Sequence, residues 1–137
     1  MPKASTTPAL RLLGIAGATG AAVLLLRLAD PTTPGGPIPV CPSKTLFGVC
    51  CPLCGASRMV VALSEGDLVQ AAHMNALLLL FLPFLAWSVL AWAFRRSGRD
   101  IPSWERWPGA LTLVLSATMI WFLLRNLPFP PFTILWV

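Results

Sequence analysis

With 137 residues, 56% of them hydrophobic and 11% charged, the chain departs from the soluble average of about 45–50% apolar and about 25% charged. The apolar residues come in blocks, which excludes an ordinary water-facing core and points to a bilayer as the solvent for much of the chain. A formal charge of +5 would suit nucleic acid, but the basic residues flank the apolar blocks and form no patch with interleaved aromatics. They read as topology signals, and no nucleic-acid partner is expected.

Residues 1–8 are polar, with Lys3 and two prolines, and read as a disordered lead. Residues 9–29 are apolar except for Arg11 and Arg27, near the two ends. The stretch between these arginines covers ~22 Å at about 1.5 Å per residue, so crossing a core of ~30 Å enlists the flanking turns, whose arginines snorkel to the headgroups. Gly14, Ala18 and Ala22 fall four apart, the spacing of small-residue seams between membrane helices. A cleaved signal peptide is the rival interpretation. Arg27 stands where a cut after Ala29 requires a small residue, so a first transmembrane helix is expected.

Residues 30–75 are expected to form a polar, cysteine-rich loop. It begins with the proline-rich connector 30–39, too broken for helix or sheet and best read as extended chain. All four cysteines follow, between Cys41 and Cys54. In Cys51-Pro52-Leu53-Cys54 the proline suits the first position of a helix, because its missing N–H would be orphaned there anyway. Leu53, Ala56, Val60 and Leu63 give an apolar stripe, predicting a short amphipathic helix over 52–65 that stops at Gly66. Cys51 would then be the N-cap and Cys54 the third helical residue. The positive end of that helix would favour a reactive thiolate at Cys51.

Asp67, with Gln70 three residues on, is expected to cap the next helix over 68–94. Its uncharged part, 76–94, is the second transmembrane helix, kinked at Pro83. Residues 95–107 form an arginine-rich loop ending in Trp104 and Trp107, whose indoles favour the interface. Proline at position 108 opens a third span, 108–127, and the proline-broken tail 128–137 is expected to lie on the surface. The fold class is therefore an all-α membrane protein, with three transmembrane helices and one short amphipathic helix after a cysteine-rich loop. Lys3, Arg11, Arg95, Arg96, Arg99 and Arg106 share one side, against Arg27, Lys44, Arg58 and Arg125. This bias puts the amino terminus and the arginine loop in the cytoplasm and the cysteines outside, where disulfides persist.

The pattern C-P-x5-G-x-x-C-P-x-C-G-x-x-R, then L-x-x-G-D and H-x-N-A-L, resembles the uncharacterised bacterial membrane proteins of domain-of-unknown-function family 2752. The matching positions are Cys41, Pro42, Gly48, Cys51, Pro52, Cys54, Gly55, Arg58, Leu63, Gly66, Asp67, His73 and Asn75. Leu53 and Ala76 stand where the family usually has glycine and proline, and Cys50 is an addition. The resemblance implies a multi-pass protein of the bacterial inner membrane and supplies no activity.

Three chemistries compete for Cys41, Cys50, Cys51 and Cys54. A structural disulfide, such as Cys41 to Cys51 or Cys54, comes first, in an accessory or assembly protein whose loop engages a partner protein or a lipid. Thiol–disulfide exchange comes second, with Cys51 attacking, Cys54 as its partner and Cys41 as the resolving thiol. Zinc comes third, with Cys51 and Cys54 shaped like one knuckle and Cys41, Cys50 or His73 needed to complete the ligand set; otherwise no cofactor is expected. Arg58 can share a helix face with Glu65, and with the helix start it is the candidate for an anionic lipid phosphate. His73 and Asn75 are expected as interfacial polar residues at the membrane entrance.

Overall fold

The computed structural model describes residues 7–33, 36, 38 and 41–136. Most of the lead, connector positions 34, 35, 37, 39 and 40, and residue 137 lie outside them. The described residues are all helical, without a strand: α1 (Pro8–Ala29), α2 (Pro42–Phe47), α3 (Ala56–Ser64), α4 (Leu68–Arg95) and α5 (Ala110–Arg125). Short 3-10 turns at Trp104–Arg106 and Phe132–Leu135 flank α5.

Two helices, α1 and α4, are long and apolar enough to cross a membrane. No residue of α1 is buried, and α4 turns Leu80, Phe84, Leu85, Trp87 and Leu90 outward. The helices run antiparallel. Arg11, near the start of α1, donates to Ser97 just past the end of α4 at 3.4 Å, and Arg27 near the other end pairs with Glu65 at 3.3 Å. At 16 residues, α5 rises only ~24 Å against a hydrocarbon core of ~30 Å, so it falls short of a full crossing by itself.

The tightest packing is the hairpin of α3 and α4. Met59 and Ala62 meet Ala71 in a small buried cluster flanked by Val60, Leu63, Met74 and Leu78. Gly66, at φ 83, makes the turn in the left-handed region that favours glycine. Asp67 then caps α4 by accepting from the Gln70 N–H at 2.8 Å, as its sequence signature predicts.

Three expectations need correction. The short helix predicted over 52–65 starts only at Ala56, with Gly55 as its N-cap. A separate helix, α2, follows Cys41. The break in α4 falls at Asn75 (φ −159, ψ 85) and not at Pro83, which lies inside the helix. Asn75 leaves the helical path because its side chain has partners worth more than one continued backbone bond, as described next.

Candidate functional site

Two proline-led segments bring three sulfurs together. Cys41 caps α2, its carbonyl accepting from the Lys44 and Thr45 N–H groups at 2.9 and 3.2 Å, with Pro42 in the first turn and Gly48 (φ 66) closing it. The chain then returns into a tight turn in which the Cys54 N–H bonds the Cys51 carbonyl at 3.1 Å and the Ala56 N–H bonds that of Leu53 at 3.0 Å. Gly55 adopts φ 78, releasing the backbone into α3 without the steric cost a side chain would meet. Cys51 Sγ stands 3.4 Å from Cys41 Sγ and 3.4 Å from Cys54 Sγ, and all three sulfurs lie within 4.8 Å of one another.

A disulfide requires about 2.05 Å, and Cys51 Sγ stands farther than that from both neighbours, so no disulfide is formed among the described residues. Sulfurs bound to one tetrahedral zinc at about 2.3 Å would stand about 3.8 Å apart, and two of the three spacings here are 3.4 Å.

The environment separates the thiols. The Ser43 hydroxyl, 3.0 Å from Cys41 Sγ, holds the Cys41 thiol down at about 6, with the neighbouring Cys54 and Cys51 thiols adding to the effect. Burial pushes Cys54 up to about 12, and its hydrogen bonds toward Cys41 and Cys51 act the same way. Cys51 lies in a turn ahead of α3 and not at its N-cap, so the helix-start argument does not apply to it; at Cys41 it is the Ser43 hydroxyl that favours the thiolate.

Behind the sulfurs lies a polar clamp built from distant parts of the chain. Asn75, fully buried, donates to the carbonyls of Pro52 at 2.9 Å and Cys54 at 3.2 Å. Its Oδ1 accepts from the Leu78 N–H at 3.0 Å, capping the second half of α4. Arg125, 1% exposed, donates to the carbonyls of Cys54 at 2.7 Å, Leu135 at 3.1 Å and Met74 at 3.4 Å, and its guanidinium stands over the Trp121 ring at 5.6 Å. Asn126 grips Cys50 from both sides, accepting from its N–H and donating to its carbonyl, each at 2.9 Å. Lys44 lies over Trp136 at 5.3 Å, tying α2 to the C-terminal turn. Among the described residues Arg125 makes no ion pair.

The remaining sequence candidates scatter. Cys50 is buried but stays outside the three-sulfur cluster. His73 is exposed and also stays outside it, so of the three residues the zinc alternative offered to complete the set, Cys41 is the one that joins Cys51 and Cys54. Arg58 turns away from Glu65 and donates to the Pro31 carbonyl at 3.0 Å, while Glu65 pairs with Arg27. Arg58 thus fixes the connector through its Nε. Sequence reasoning missed Arg125 and Asn126, whose R-N-L-P context reads equally well as a helix exit. A lone arginine ending an apolar helix gives no sign of whether it faces water or a buried carbonyl.

The described residues thus define an all-helical protein with two helices long and apolar enough to span a membrane, and a three-thiol cluster at one end of the pair. Residues 41–89, from the first cysteine into α4, match the family described as Protein of unknown function (DUF2752), the family that the cysteine signature resembles. No curated protein and no solved structure matches the chain.

Proposed function

We propose that this chain is a membrane-anchored soft-metal site in which Cys41, Cys51 and Cys54 bind zinc as thiolates and Arg125 supplies a fixed buried counter-charge. The observation that carries it is the convergence of three sulfurs to within 4.8 Å without a disulfide. A buried arginine with no carboxylate partner is costly unless an anion offsets it, and a thiolate cluster next to its hydrogen-bonded Cys54 carbonyl is such an anion. Three protein ligands leave the fourth tetrahedral position open, for water or for a donor atom from a partner protein. In the accompanying topology α1, α4 and α5 with its flanking residues cross the inner membrane, the amino terminus and the arginine loop stay in the cytoplasm, and the sulfurs face outward.

The test is zinc content in protein purified from its native membrane without chelator, with each cysteine changed to serine in turn. One zinc per chain is expected, lost from the Cys41, Cys51 and Cys54 variants and kept by Cys50→Ser. A metal-free protein whose thiols resist alkylation until reduced would overturn the proposal.

Thiol–disulfide exchange is the second candidate, supported by the position of Cys51 at 3.4 Å from both neighbours. An external disulfide would first oxidise Cys51 and Cys54 to a bonded pair. The Cys41 thiolate would then attack Cys51 Sγ, forming the Cys41–Cys51 bond, and Cys54 would leave with the electron pair and take up a proton. A mixed disulfide trapped on Cys51 would favour this chemistry over metal binding.

A further inference from the structure

At the end of the molecule away from the sulfurs, two cavities line up along α4. One, of about 330 Å³, is lined by Arg95, Gly98, Arg99, Asp100 and Arg106. The other, of about 310 Å³, is lined by Pro83, Phe84, Trp87 and Trp104. The 3-10 turn Trp104–Arg106 contributes a wall to both. It is fixed against α4 by the Trp104 indole, which donates to the Phe84 carbonyl at 3.0 Å and to Ser88 Oγ at 2.9 Å. Trp87 in turn donates to the Pro102 carbonyl at 3.1 Å.

The first cavity is polar and carries surplus positive charge. Arg95 is matched by Glu105 at 2.6 Å and Arg106 by Asp100 at 2.8 Å. Arg99 has no ion pair among the described residues. The second cavity is walled by aromatic rings and a proline, with Phe84 packed edge-on to Trp104 at 5.9 Å between centroids. Phe84, Ser88, Ala91 and Arg95 succeed one another at steps of three and four, so both cavities open on one face of α4. Phe84 and Arg95 are separated along the axis by about 16 Å, close to the depth of one leaflet of a hydrocarbon core of about 30 Å.

We propose that this pair of cavities holds one anionic phospholipid, its phosphate in the arginine basin beside Arg99 and an acyl chain in the aromatic groove below. The occupant must have an anionic head and an apolar body about a leaflet long. A free phosphate satisfies only the basin, and a neutral lipid only the groove. The site requires the chain to sit in a bilayer and is independent of metal binding, since no cysteine contributes to it.

The test is native mass spectrometry of the full chain in detergent, titrated with dioleoyl phosphatidylglycerol or dioleoyl phosphatidylcholine. One phosphatidylglycerol is expected to be retained in preference to phosphatidylcholine. Arg99→Gln should weaken retention by about fivefold, the loss of one arginine near an anionic head. Arg96→Gln should leave it unchanged, because Arg96 lies outside the basin, over Trp92 at 5.8 Å. Glycerol 3-phosphate, which has the phosphate without the chain, should not displace the lipid. Equal retention of both lipids, equal loss in the Arg96 and Arg99 variants, or displacement by glycerol 3-phosphate would each overturn the assignment. Zinc content serves as the separate readout: the Arg99→Gln protein should carry as much as wild type.

Discussion

Replacing Asn75 by alanine should loosen the sulfur cluster without touching a sulfur. The carboxamide caps the second half of α4 through Leu78, worth about 1 kcal/mol. It is also the donor seen at the Pro52 carbonyl, and an acceptor left dry costs about 1–3 kcal/mol. The Cys54 carbonyl keeps Arg125 at 2.7 Å, so its loss is small. The sum is about 2–4 kcal/mol of stability. If half of this is expressed as distortion of the Cys51–Cys54 turn, zinc binding weakens by roughly tenfold, since 1.4 kcal/mol is one decade. Asn75→Asp should be worse: it keeps the acceptor for Leu78 but turns a carboxylate toward two carbonyl oxygens. Reversible denaturation in detergent and zinc competition against a chromophoric chelator read the two effects. An alanine variant within about 0.5 kcal/mol of wild type, the usual effect of an unimportant surface change, would refute the reasoning. So would an aspartate variant that binds zinc as well as the alanine one.

Other outcomes follow from the same geometry. In metal-free protein, alkylation of Cys41 should rise with pH through about 6, because Ser43 holds that thiol down, while Cys54, pushed up to about 12, stays protonated. A single rise near the ordinary thiol value would contradict this. The sign for stability follows: with the Cys41 thiol lower folded than unfolded, the unfolded chain binds more protons between them. The metal-free fold should therefore stabilise as pH climbs from about 6 toward 9, as measured by denaturation at fixed salt. Arg125→Gln should cut zinc affinity by at least about tenfold, with Arg125→Lys intermediate because it keeps the charge but loses the planar fork. Equal affinity in all three proteins would remove the counter-charge from the account. Glu65→Ala should cost less than about 1 kcal/mol, since both partners of the Arg27–Glu65 pair are about half exposed.

The helices were legible where one local rule governed them. Hydropathy marks α1 and α4, and the Asp67 cap and the Gly66 turn appear where their residue types require. α2 carries the same signature as any capped helix, Pro42 at its start and Gly48 at its end, but its six residues are too few for a periodic pattern to register. The start of α3 was misplaced because Pro52 suits a helix start and a tight turn equally well. What tips the balance is tertiary: the carbonyls of Pro52 and Cys54 are claimed by Asn75 and Arg125. Those partners lie 23 and 71 residues away along the chain, beyond any window of local reasoning. The break in α4 has the same origin. Pro83 is the stronger local breaker, yet Asn75 is where the hydrogen bonds that offset a break are available.

The clamp also bears on which ion the sulfurs would hold. Three thiolates carry three negative charges and Arg125 returns one, so the group is left with two to neutralise. A divalent soft ion such as zinc brings the whole to zero, whereas a monovalent one such as copper(I), equally at home with thiolates, leaves a net negative charge. Net charge is penalised where water is scarce, and Cys54 and Arg125 are both nearly inaccessible to it. Removing the Arg125 charge leaves a net charge of minus one with the divalent ion and minus two with the monovalent one. Arg125 would thus serve affinity for either ion, while the one-charge advantage of the divalent ion is the same with or without it.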